Sequence, residues 1–182
     1  VGTKRVIAGS MTALLLAVIG GLLAQKDSIF FVKVTPPQPG GALFAGAAET
    51  LNTGLEAFLT QHSPPIETSW FAVVQSVGAG ELAFARREGL SDFTDYRPGP
   101  RIMAAAGRVA RSRPELRIGT VDITLLDETI ALRRRGYEAI TLTGHDGGLI
   151  PHWNRLTDTA DRVEADTVRR AVEILGALAA EL

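Results

Sequence analysis

The sequence predicts an α/β fold, a three-layer sandwich in which a mainly parallel sheet carries helices on both faces. Three observations predict it. Short apolar runs rich in β-branched and aromatic residues alternate with stretches of helical spacing along most of the chain. Glycine is plentiful, at 19 residues, and aromatics are scarce, at 6%, which suits close packing of helices on a sheet. The closing stretch, residues 165–181, sets Val168, Ala171, Val172, Leu175 and Leu178 on one stripe, the spacing of a helix laid on a sheet.

Residues 6–24, VIAGSMTALLLAVIGGLLA, carry no charge; Lys4 and Arg5 precede them and Gln25, Lys26 and Asp27 follow. Two readings of this stretch stand. Its length, about 20 residues, spans a bilayer, and basic residues flank it on one side. Its small residues Gly9, Ser10, Gly20 and Gly21 equally suit a helix buried in an α/β core. Residues 28–34, SIFFVKV, are a strand by composition. The Pro- and Gly-rich residues 36–41 end it, and residues 42–45 are a second short apolar run. Helical spacing then runs over residues 48–62 through Leu51, Leu55, Phe58 and Leu59, until Ser63, Pro64 and Pro65 stop it.

Residues 69–75, SWFAVVQ, read as an apolar strand, with residues 81–86 as its hairpin partner. Residues 88–100 read as loop, residues 101–113 as a helix with arginines opposite an apolar face, and residues 116–121 as a short strand. Residues 125–135 form a helix with Leu126, Ile130 and Leu132 inward and an arginine run outward near its C-terminus, where it complements the dipole; Gly136 suits the position after it. A buried strand, residues 139–142, then feeds a loop carrying His145, Asp146, His152 and Asp158. The polar end of a strand is where open α/β sheets place their sites.

Composition narrows the function classes. The length, 182 residues, suits one domain with a real core. Lys+Arg (19) and Asp+Glu (20) nearly balance, so no basic surface for nucleic acid stands out. The chain has no cysteine, which removes disulfides, thiolate nucleophiles and thiolate zinc sites. No P-loop, H-E-x-x-H or G-x-S-x-G motif occurs.

The closing stretch IPHWNRLTDTADRV resembles the last motif of the zinc aminopeptidase family that includes bacterial leucyl aminopeptidases and glutaminyl cyclases. In that family a histidine zinc ligand precedes an Asp-Thr pair that opens the way to a final helix. Asp158 and Thr159 match the pair; the ligand position falls on Asn154, with His152 two places earlier. A second stretch, ALFAGAAETLNTGLEAFL, is similar to the family's strand, glutamate pair and helix. The resemblance puts the general base at Ala48, which cannot take a proton, and a zinc ligand at Glu49, which can serve as one or as a helix N-terminal acid. A zinc-binding aspartate of the family corresponds to Gln75, and the metal-bridging Asp-Asn pair to Val6 and Ile7. The family's aspartate supporting the substrate end corresponds to Asp127 by motif and to Glu128 by spacing.

Residues 42–182 carry the resemblance, and residues 1–41 read as an apolar N-terminal helix and strand. It implies a zinc exopeptidase fold with a degenerate metal site and little or no peptidase activity, its ligand a peptide. An active zinc metallo-aminopeptidase using Glu49, His152 and Asp158 is the alternative. A binding domain held to a membrane by residues 6–24 is the other. His145, Asp146, His152 and Asp158 also lie close enough in sequence to build a different single-zinc site, since imidazole and carboxylate are good zinc donors.

Overall fold

The computed structural model describes the backbone of residues 28–34 and 41–45, and residues 53–89, 95–124, 127–153 and 155–182 in full. The expectations placed on residues 6–24, Ala48, Glu49, Leu126 and Asn154 lie outside the described residues. Among the described residues, no helix is long and apolar enough to cross a membrane.

The fold is α/β, built on one sheet. Strands β1 (Ser28–Val34), β2 (Gly41–Ala45), β3 (Ser69–Gln75), β4 (Glu81–Glu88), β5 (Gly119–Ile123) and β6 (Glu138–His145) form a six-stranded sheet in the order β2-β1-β3-β6-β4-β5. Helices α1 (Thr53–His62), α2 (Pro100–Ser112), α3 (Glu128–Arg134) and α4 (Ala165–Glu181) connect and cover it.

The sheet is mixed, which corrects the expectation of a mainly parallel one. β3 pairs with β6, and β4 with β5, in parallel. The pairs β1–β2, β1–β3 and β4–β6 are antiparallel. β4 is also not the hairpin partner of β3, because β6 lies between them. The physical reason is visible in β6 itself. Residues Ala139 to Gly144 are buried on both faces, and a strand covered on both sides belongs in the sheet's middle, flanked by two neighbours.

Side-chain alternation divides the core. Trp70, Ala72 and Val74 of β3 point to one face and join Leu82, Phe84, Ile140 and Leu142 against α2 and α4. Phe71 and Val73 point to the other and meet Leu55 and Leu59 of α1, Leu132 of α3 and Tyr137. The Tyr137 hydroxyl donates to the Pro64 carbonyl at 2.9 Å in this second cluster. The α4 stripe read from sequence is buried at all its positions, Val168, Ala171, Val172, Leu175 and Leu178.

Candidate functional site

The C-terminal ends of β3 and β6 lie side by side, with Gln75 opposite Thr143. The turn after β3, Ser76 to Gly80, folds against the end of β6. Gly144 N donates to the Ser76 carbonyl at 3.3 Å, and a Cβ on Gly144 would press into the Ser76 and Ala79 carbonyl oxygens. Only glycine permits that approach.

β6 then runs into a tight hairpin. Asp146 and Leu149 exchange backbone hydrogen bonds at 2.8 and 3.0 Å, and Gly147 and Gly148 between them both hold positive φ, +57° and +88°. This is the geometry that a two-residue Gly-Gly turn favours. The loop continues through His152, also at positive φ (+60°), and returns to the β3 turn, where Glu164 N donates to the Gly78 carbonyl at 2.7 Å. The Glu164 carboxylate accepts from Thr167 at 2.8 Å in the first turn of α4.

Between turn and loop lies an open cleft of about 440 Å³, lined among others by Gly80, Glu81, His145, Asp146, His152 and Glu164. Two polar atoms at this end of the sheet are buried without a protein partner, Gln75 Oε1 and His145 Nδ1. Buried polar groups are normally paired, so these two stand out at this end of the sheet. His152 is partly committed: its Nδ1 lies 2.9 Å from Thr157 Oγ1. Asp146 and Asp158 are solvent-exposed. The structure thus gathers His145, Asp146 and His152 at one cleft and places Gln75 at the adjoining strand end.

Asp127 and Glu128 sit elsewhere, in a buried acid cluster under the sheet. Asp127 caps α3: its Oδ1 accepts from Thr129 N at 2.8 Å, as N-cap aspartates do. Its Oδ2 accepts from Thr141 Oγ1 at 2.9 Å, and the Thr129 and Thr141 hydroxyls are 2.7 Å apart. Glu88 at the end of β4 joins them and is 0% exposed. Neither of its carboxyl oxygens has a hydrogen-bond partner, because the Thr141 hydroxyl is given to Asp127.

Burial and, next, the charge of Asp127 push the Glu88 carboxyl up to about 9; the nearby Thr141 hydroxyl only partly offsets this. Burial also raises Asp127, against the hydrogen bonds it accepts. Glu88 therefore holds a proton at neutral pH while Asp127 uses both oxygens as acceptors. Thr141 precedes His145 by four residues, about 13 Å along a strand, and neither Glu88 nor Asp127 lines the cleft. Sequence reasoning left Glu88 in a loop. Its signal was faint, an acid three residues beyond the apolar run of Leu82 to Ala85 and behind Arg86 and Arg87.

Among the described residues, no group of three or more His, Asp or Glu is placed to hold a metal ion. Comparison of the chain with protein-family models, curated proteins and solved structures finds no match.

Proposed function

We propose that this chain is a zinc exopeptidase-like domain with a degenerate metal site that acts by binding a peptide in the cleft beside β6, with little or no hydrolysis. The observation that carries this reading is Gln75: its Oε1 is buried and unpartnered at the strand end, at the position where the resemblance places a zinc-binding aspartate. An amide there is suited to a hydrogen bond with a peptide group and poorly suited to a cation. Helices packing on both sides of the sheet support the three-layer arrangement that such a domain would have.

Elemental analysis of the purified full chain, with aminoacyl-anilide turnover measured in parallel, tests the reading. The expected result is zinc far below stoichiometric and no turnover when zinc is added. Near-stoichiometric zinc together with turnover abolished by a chelator overturns it. That result would favour the active metallopeptidase using Glu49, His152 and Asp158.

A further inference from the structure

Of the five large apolar side chains exposed among the described residues, four lie in residues 149–163: Leu149 at 67%, Trp153 at 42%, Leu156 at 102% and Val163 at 40%. This clustering is not the scatter of single apolar residues that a surface ordinarily shows. The loop that bears them is fastened at both ends, by the Asp146–Leu149 bridge and by Glu164 N on the Gly78 carbonyl. It projects from the end of the sheet where β3 and β6 finish.

The chain enters the sheet at that same end. β1 runs antiparallel to β3, with Ile29 opposite Val74, so Ser28 lies beside the end of β3. Immediately upstream, separated only by Gln25, Lys26 and Asp27, is the uncharged stretch of residues 6–24. As a helix it measures about 28 Å at 1.5 Å per residue, close to the roughly 30 Å of a bilayer's hydrocarbon core. The linking residues, fully extended, reach about 10 Å. A bilayer crossed by residues 6–24 would therefore have its surface within about 10 Å of the sheet end that carries Leu149, Trp153 and Leu156.

We infer that this end of the sheet rests on a lipid bilayer, which residues 6–24 cross and in whose interface Leu149, Trp153 and Leu156 lie. Tryptophan favours that layer because one part of the ring is apolar and one edge is a donor. The loop carries exposed Asp158 and Asp161 as well as Arg155 and Arg162, so the contact needs no anionic lipid. Because the cleft is built partly from the same loop, its ligand would arrive along the membrane surface. This inference stands independently of the proposed function, since a lipid contact requires neither zinc nor its loss.

The absence of cysteine makes the test direct. A single cysteine introduced by Leu156→Cys, and separately by Glu67→Cys at the opposite end of the sheet, carries an environment-sensitive nitrobenzoxadiazole label. Each full-length labelled chain is incorporated into phosphatidylcholine vesicles, with and without lipids bearing a quencher near the headgroup. The expected result is a blue-shifted emission and at least two-fold quenching for the label at 156, with the label at 67 unchanged. Equal water exposure of both labels in the vesicles overturns the inference, as does equal quenching of both. A full chain that does not float with the vesicles also overturns it, and would mean that a second copy or the chain's own apolar stretch covers the loop.

Discussion

The hydroxyl of Thr141 donates to Oδ2 of Asp127 at 2.9 Å, beside a second buried carboxyl, Glu88, that burial and then the charge of Asp127 keep protonated. With Thr141 and the Thr129 backbone both directed at Asp127, the ionised form is supported there. Glu88, wholly buried next to that charge, is left as the neutral acid.

The pair makes stability fall with rising pH. Glu88 in the folded chain holds its proton up to about 9, whereas the unfolded carboxyl releases it near its ordinary value of 4.5. Between these values the folded state binds more protons than the unfolded state, so stability drops as pH rises, by about 1.4 kcal/mol per pH unit for one fully linked proton. The contribution is complete below pH 4.5 and gone above about 9. Glu88→Gln, a neutral side chain of the same shape, is expected to flatten the decline. Urea midpoints measured from pH 5 to 9 check this: the parent falls across the range and the variant does not.

Asp127→Ala removes the cap of α3 and strands the Thr141 hydroxyl. The expected cost is about 1–3 kcal/mol. It also removes the neighbouring charge that holds Glu88 neutral, so the pH at which stability is lost should move down. Chemical denaturation at pH 6 and 9 reads both effects.

Gly144→Ala drives a methyl group against the Ser76 and Ala79 carbonyl oxygens. Backbone cannot yield as a flexible side chain can, so a loss of about 1–3 kcal/mol is expected. The β3 turn moves with it, and cleft binding should weaken in the same variant. A thermal melt and peptide titration by calorimetry check these two consequences together.

Gln75→Leu separates binding from stability. It removes an amide whose Oε1 is buried and unpartnered, so the folded protein is expected to keep or slightly raise its melting temperature. Peptide affinity in the cleft should fall about ten-fold, the loss of one hydrogen bond worth about 1.4 kcal/mol. Calorimetric titration beside a melting curve measures the two; a destabilised variant with unchanged affinity would contradict the role given to Gln75.

Much of this fold was legible because local chemistry fixed it. Residues 28–34 and 69–75 form the strands that their apolar, β-branched and aromatic composition predicts, and residues 165–181 the helix that their spacing predicts, since composition and a 3.6-residue period are properties of a stretch of chain taken alone. The Asp146-Gly147-Gly148-Leu149 hairpin was equally available, because two consecutive glycines supply the positive φ such a turn needs. The pairing of strands was not available. A hairpin from β3 to β4 and an inserted β6 satisfy the same local pattern, and only the burial of Ala139 to Gly144 on both faces places β6 between them.

The α/β class, the apolar stripe of α4 and the lack of thiol chemistry follow from residue type and spacing alone. Only the folded chain sets Glu88 beside Asp127 under the sheet, and His145 at a cleft whose adjoining strand end carries Gln75. A carboxyl's protonation and an amide's freedom depend on what the folded chain brings beside them, and residues far apart in sequence supply that surrounding.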